Sequence, residues 1–415
     1  ILKKKNENHL EEKDLEIPEL VTIAKPKLES MKSQVREITL KTGLTVLRDG
    51  RPYLLGYPLS ELIFDAKISD VIYLVLCQTE PKPKERSILR RLFGYHVKNL
   101  PLTDIAVRAA KQSFRQGNSL NAAVAAGLLC QDDVPGENLH EDLKEIFTRE
   151  QAEAVVLIGW VMSLVGHILC DEFDPPGKGP LENCFFRAVT GRKPNAAEAQ
   201  VFRGIFAACV DHTPAVPSSL SAITSYSGGV TMKTALAAGI TAMGDAHAGA
   251  GEGAARAFQV EAEKAKGAAT VEEKARWLVD SYTGKLGGTK RRIPGYGHRY
   301  YSLYGADPRS VAVLKLAEKN GYGGGQIQLA REVERILKAE KASGLALNVD
   351  GAIGAIISEM GIPPEAGKAL FIIPRSTGIL GQLIEQKAGS FFRLDNQSIT
   401  YTGPEPPRKF KPAKG

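Results

Sequence analysis

Apolar positions along this chain recur mainly at helical spacing, interrupted by capping residues and breakers. Ser69 precedes DVIYLVLCQ and Pro81 follows it; Thr103 precedes DIAVRAAKQSF and Gly117 ends it. NAAVAAGLL, AEAQVFRGIFAAC and TMKTALAAGITAM continue the pattern with small and apolar residues. A hydroxyl before such a run satisfies a first-turn N–H, and glycine or proline beyond it ends the helix. The β signal is confined to LTVLRDGRPYLL, where Asp49-Gly50 sits between two apolar runs and predicts a small hairpin. The pattern therefore predicts a mainly α protein with a small N-terminal β-hairpin.

One uncharged run, Ala154 to Cys170, approaches the length of a membrane span. It carries Ser163, Gly166 and His167, and Thr148 with Gln151 reads as a capping box opening a helix, so we expect a core helix and no membrane. Ala and Gly are abundant between Ala207 and Ala257, which lets helix backbones approach closely and suits a central or subunit-facing pair. From Thr270 to Ala342 the composition becomes more charged, with glycine runs at Gly287-Gly288 and Gly323-Gly324-Gly325. The expected organisation is a charged arm over 1–36, a large helical domain over 37–250 and 360–415, and a small domain over 251–359.

Composition adds class rather than detail. The 415 residues are 43% apolar and 24% charged, which describes a globular protein with ample core. The net charge of +7 favours anionic partners without choosing among them, and no interleaving of aromatic and basic residues suggests nucleic-acid binding. Five scattered cysteines, with no CxxC pair, read as buried thiols in a reducing cytoplasm, and the polar N-terminus does not read as a secretory signal. The histidines fall in different segments without i, i+4 pairing, so no metal site is expected.

Four segments could carry chemistry: CVDHTPAVPSS with His212, GDAHAGAGEGA with His247, RRIPGYGHRYYSLYGADPRS with His298 and Arg309, and LNVDGAIGAIISEMG with Asp350. Each has a plain alternative. Asp350 could be a helix cap, His247 a turn residue, and Arg309 a solvated side chain after an Asp307 cap and Pro308 at the first helical position. Together they are harder to dismiss. Three of seven histidines lie in glycine- or proline-broken segments, joined by an aspartate at a helix start and by Arg309, Arg375 and Arg393 in the last quarter of the chain.

In this order (DH, a histidine in a glycine turn, PGYGHR…DPR, NVD, a short R-x-x-G segment, a late arginine) the chain resembles the citrate synthase family. That family includes citryl-CoA lyases and the C-terminal lyase module of ATP-citrate lyase. The resemblance covers the chain from about YLLGYPLSELI through YTGPEPP and implies a two-domain helical citrate synthase fold. It implies Asp350 as the base that removes a proton from acetyl-CoA, His247 as donor to the enolate oxygen, and His298 as the group acting on the ketone of oxaloacetate. His212, Arg309, Arg375 and Arg393 would hold carboxylates of oxaloacetate and citrate, with Arg393 reaching across a homodimer to a shared site. The chemistry agrees with those types: a weakly acidic α-proton needs a carboxylate base and a donor for the developing charge, and guanidinium matches carboxylate two bonds at a time. Coenzyme A would enter as a cosubstrate, with no permanently bound cofactor. GKLGGTKRRIPGYG resembles the stretch holding the nucleotide end of CoA, making Lys290, Arg291 and Arg292 candidate phosphate partners.

The chain departs from the synthase pattern in two places. His247 is followed by Ala248-Gly249-Ala250 where synthases read HGGA, and His212 by Thr213-Pro214 where many read DHE. DHTPAV and LNVDGAIG look closer to the citryl-CoA lyase branch, while the region between His96 and Ala197 supplies a full large domain. The resemblance thus implies citrate synthase activity, with citryl-CoA lyase, a 2-methylcitrate synthase-like enzyme, or a non-catalytic CoA- or tricarboxylate-binding relative as alternatives.

Overall fold

The structure is a computed structural model. It describes residues 40–89, 100–134, 139–170, 173, 179–340 and 345–386. As expected, helices dominate and the sheet is small. Strands β1 (Thr45–Arg48) and β2 (Arg51–Leu54) pair antiparallel about Asp49-Gly50, and a two-residue β3 (Tyr57–Pro58) extends the sheet beyond the predicted hairpin. Both turn residues have positive φ, 49° and 73°, as a two-residue turn matched to strand twist requires.

Helices α1 (Leu59–Asp65), α2 (Ile68–Cys77), α3 (Asp104–Arg115), α4 (Leu120–Cys130), α5 (Glu141–Ile146), α6 (Arg149–Leu169), α7 (Leu181–Thr190) and α8 (Ala196–Cys209) come first. Then follow α9 (Pro217–Ser227), α10 (Met232–Thr241), α11 (Ala250–Arg256), α12 (Val271–Thr283), α13 (Pro308–Lys319), α14 (Gly325–Ala339), α15 (Val349–Glu359) and α16 (Ala366–Gln386). The predicted caps work. Thr103 accepts from the Ala106 N–H, Thr148 and Gln151 form a capping box, and Asp307 caps α13 with Pro308 at its first position. One boundary differs from expectation, and one plain alternative is ruled out. Ser69 is buried inside α2, whose cap is Lys67, and the cap of α15 is Asn348, so Asp350 lies within the first turn.

Helix α6 is long and apolar enough to cross a membrane, yet 78% of its most apolar window is buried inside the protein. It packs against α3, α4, α7 and α16. Helix α16 is the hub of the core: it also touches α2, α8, α9, α10, α11 and α15, and every residue from Ala366 to Leu383 is buried. Helices α11, α13 and α14 pack around α15, and α12 packs on α14. Of the cysteines, Cys184 and Cys209 are buried as expected, Cys77 and Cys170 are half-buried, and Cys130, the last residue of α4, is exposed.

Candidate active site

His212 lies just beyond the end of α8 and is buried. Its position depends on a close approach: a Cβ on Gly378 of α16 would lie 2.0 Å from the Val210 carbonyl oxygen, so only glycine lets α16 pass there. The neighbouring Asp211 carboxylate accepts from Gln382 Nε2 at 3.1 Å and from the Thr213 N–H at 3.3 Å. Thr213 has φ of 70°, a strained conformation for a β-branched residue, and such strain persists only where surroundings impose it.

His298 sits on a loop stitched to the start of α15. Gly295 has φ of 84°, and a Cβ there would lie 2.4 Å from Gly351 Cα, so the glycines permit backbone-to-backbone packing between this loop and the helix carrying Asp350. Asn348 donates from its backbone to Gly295 O at 2.9 Å and from Nδ2 to Gly297 O at 2.8 Å, while Gly297 N–H donates to Ala346 O at 2.8 Å. His298 Nδ1 accepts from the N–H groups of Tyr300 and Tyr301, at 3.1 and 3.2 Å. An accepting Nδ1 carries no proton, so the neutral ring has its N–H on Nε2. The His298 ring stands edge-on to His212, centroids 5.2 Å apart, and lies 4.6 Å from the Tyr301 ring.

Arg309 is only 3% exposed. Its guanidinium is clamped by Asp307 through Nε at 3.0 Å and Nη2 at 2.7 Å, and its carbon lies 5.0 Å from the centre of the Tyr301 ring. The same Asp307 carboxylate accepts from the Arg309 N–H at 3.0 Å and from the Val349 N–H at 3.1 Å. One side chain thus joins the starts of α13 and α15, beside Asp350.

Arg375, 1% exposed, follows Pro374 inside α16. Its Nε donates to Cys209 O at 3.1 Å, its guanidinium lies 4.5 Å from the Phe371 ring centre, and Nη1 has no partner. The His247 ring stands edge-on to the same Phe371 at 5.6 Å, and its Nε2 lies 2.9 Å from the Oγ of Ser218, a fully buried residue in the first turn of α9.

The electrostatics follow from burial beside two guanidinium groups. Burial, then the charge of Arg375, lowers His247 to about 4; burial, then the charge of Arg309, lowers His298 to about 4. His212 is pushed well below its ordinary value by burial and then by Arg309 and Arg375. All three rings are neutral at pH 7. Burial raises Asp350 to about 6, against the opposing pull of Arg309, which poises it as a base near neutrality. Among the buried polar atoms here without a protein partner are Arg375 Nη1, His212 Nδ1 and Tyr301 Oη. The arrangement offers a tuned base, neutral imidazole donors and two desolvated cations, suited to proton abstraction next to a carboxylate-bearing ligand.

The structure thus brings His212, His247, His298, Arg309, Asp350 and Arg375 into one electrostatic neighbourhood. Lys290, Arg291 and Arg292 are exposed outside it; Arg291 lies over the Tyr282 ring at 4.5 Å and 3.6 Å from Glu261. Arg393 falls outside the described residues. Sequence reasoning missed Asp307 as the partner of Arg309, Ser218 as the partner of His247, and Tyr301 as the shared wall.

A sequence model described as "Citrate synthase, C-terminal domain" matches residues 29–394. The chain belongs to the citrate synthase family. A citrate synthase of Saccharolobus solfataricus is 26% identical over 381 residues, covering 88% of this chain and 93% of that one. ATP-citrate synthase beta chain protein 1 of Arabidopsis thaliana is 29% identical over 212 residues, 47% of this chain and 33% of that protein. The fold matches the citrate synthase of Thermoplasma acidophilum, solved as a ternary complex with carboxymethyl coenzyme A and oxaloacetate, at a TM-score of 0.71 and 23% identity, covering 92% and 98% of the two chains. It also matches that of Thermotoga maritima at 0.68 and 19% identity, covering 91% and 96%. The family's helical fold, preceded here by a three-stranded sheet, is therefore the fold of this chain.

Proposed function

We propose that this enzyme forms or breaks the carbon–carbon bond between an acetyl-CoA-derived carbon and oxaloacetate. In the forward direction Asp350 takes a proton from the acetyl methyl group while His247 donates to the thioester oxygen. We take Ser218 as donor to His247 Nε2, which leaves the ring N–H on Nδ1. The enol carbon attacks the ketone, and the Nε2–H of His298 passes its proton to the new alkoxide, giving citryl-CoA. Hydrolysis then releases citrate and CoA. His212, Arg309 and Arg375 hold the dianionic acceptor, joined by Arg393 from the other subunit of a homodimer. Lys290, Arg291 and Arg292 meet the CoA phosphates. The proposed moving parts are the large domain of 37–250 with 360–415 and the small domain of 251–359, in a reducing cytoplasm.

The observation that carries this reading is a carboxylate with its pKa raised to about 6 beside two buried guanidinium groups, one with an unpartnered N–H. A carboxylate-bearing ligand satisfies that N–H, and a base near neutrality suits a weakly acidic α-proton. The Thermoplasma complex contains oxaloacetate, a carboxylate-bearing ligand, and a coenzyme A derivative.

A second reading, citryl-CoA lyase, is favoured by DHTPAV and LNVDGAIG and by the ATP-citrate synthase match. Thiol release from acetyl-CoA with oxaloacetate, run beside oxaloacetate release from citryl-CoA, separates the two. Activity confined to the second assay makes the enzyme a lyase. Activity with propionyl-CoA exceeding that with acetyl-CoA makes it a 2-methylcitrate synthase, and silence in every assay refutes the proposal.

A further inference from the structure

We propose that Tyr300 is a positioning residue for His298, and that the Asp49-Gly50 turn of the N-terminal hairpin is the anchor that holds it. The His298 loop is stitched to α15 through Gly295 and Gly297, ahead of the histidine, and has less to hold it beyond Tyr301. The segment Tyr301–Tyr304 is one short 3₁₀ turn, and such a turn has too few hydrogen bonds to be stable alone. Its outer side chains pack poorly, with Leu303 80% and Tyr304 52% exposed. What it has instead is a contact from 250 residues earlier in the chain: the Gly50 N–H donates to the Tyr300 hydroxyl at 3.3 Å.

The fit of the turn against the loop is close. A Cβ on Gly50 would lie 2.7 and 2.8 Å from two ring atoms of Tyr304, and the Tyr300 and Tyr304 rings stand 5.4 Å apart, so the glycine seats against the pair. With φ of 49° and 73°, the turn residues hold a geometry fixed by the β1–β2 ladder. The turn therefore supports the outer side of the loop, where Leu303 and Tyr304 are exposed.

Tyr300 passes that support to the imidazole. Its hydroxyl accepts from the hairpin while its amide N–H, with that of Tyr301, donates to His298 Nδ1. The His298 backbone is tied on the other side, its N–H donating to Ser302 Oγ at 2.8 Å and its carbonyl accepting from the Ser302 N–H at 3.0 Å. A neutral imidazole carries one N–H. Two amides aimed at Nδ1 force that proton onto Nε2, the nitrogen left free to donate. If the anchor is lost, the two amides wander and the Nδ1–H tautomer becomes accessible, in which Nε2 has no proton to give.

The test reads the tautomer directly, on the full-length protein labelled with 15N-histidine, at a pH where the ring is neutral. The His298 signals are assigned by their absence from His298→Gln. Tyr300→Phe removes the accepting oxygen and keeps the ring; Gly50→Ala attacks the anchor from the hairpin side. In the parent protein we expect a protonated Nε2 and a bare Nδ1. In either variant the two nitrogen shifts move toward each other as the tautomers mix. The kinetic arm rests on the function proposed above: kcat falls about tenfold with KM for both substrates within about twofold, as expected for a donor used in the transition state. A single unchanged Nε2–H tautomer in both variants overturns the proposal, whatever happens to kcat, as does an Nδ1–H tautomer in the parent. Tautomer mixing in a protein silent in every assay upholds the positioning role and refutes the proposed function.

Discussion

Replacing Asp307 by asparagine tests whether one buried carboxylate holds the site together. The native side chain accepts four hydrogen bonds: Arg309 N–H and Nε on one oxygen, Arg309 Nη2 and Val349 N–H on the other. An amide keeps one acceptor and turns an NH2 group toward two donors, so two charge-assisted bonds are lost. At about 1.5–3 kcal/mol each, the loss is about 3–6 kcal/mol. Breaking one side of a buried ion pair independently costs about 3–5 kcal/mol, and with Arg309 and Asp307 side chains 4% and 1% exposed, water screens little of it. For a unit spanning Thr42–Phe391 this corresponds to a fall in melting temperature of about 4–7 °C at ~2.1 cal/mol/K of unfolding entropy per residue. Kinetics supply the second signature. Burial raises Asp350 to about 6, Arg309 pulls it down and Asp307 pushes it up, so removing the Asp307 charge lowers the Asp350 pKa. Asp350 acts ionised, so the acid limb of kcat/KM should move to lower pH even as kcat falls. Urea unfolding and a pH–rate profile on the same preparation provide both readings. A loss below about 1 kcal/mol, or a limb that moves to higher pH, refutes the claim that Asp307 neutralises Arg309 and links α13 to α15.

Other expectations are simpler. In the native enzyme kcat/KM should rise with pH and level off above about 6, because a raised carboxyl pKa delays ionisation; Asp350→Asn should remove that limb and cut kcat about a hundredfold or more while carboxymethyl-CoA binding by calorimetry is retained. Gly295→Ala forces a Cβ to within 2.4 Å of Gly351 Cα at a φ of 84° and should cost about 2–4 kcal/mol in urea unfolding; a change under about 0.5 kcal/mol shows that the loop can part from α15. Ser218→Ala leaves His247 Nε2 without its partner and should lower kcat about tenfold with KM for oxaloacetate within about twofold; equal loss in both would show a general collapse of the site instead.

Local signals carried well from sequence to structure. Asp49-Gly50 makes its turn, Thr103, Thr148 and Asp307 cap their helices, and the apolar run after Thr148 is a buried helix, because each needs only neighbouring residues. Histidines in broken segments were legible for a related reason: glycine and proline are costly in helices and persist where the backbone must do something unusual. What sequence hid was long-range. No periodicity announces that Ser218 meets His247, that Gly295 lies against Gly351, or that Gly378 lets α16 pass Val210. Asp307 was misjudged by half: its cap was readable, but its clamp on Arg309 and its bond to Val349 depend on α15 folding alongside. The plain reading of Asp350 as a helix cap does not hold, because Asn348, two residues before it, takes the cap.

The central place of α16 bears on how the chain is made. A ribosome delivers α2 through α11 long before Ala366 emerges, yet each of α2, α4 and α6 through α11 rests part of its apolar surface on that late helix. Until it arrives, the apolar α6 has no complete site to fill, and a nascent chain with such surface uncovered is prone to aggregate or to need a chaperone. The pairing is also distant in sequence, which slows folding through the entropy of closing long loops. The enzyme's core is therefore completed last, after most of its active-site residues have already been synthesised.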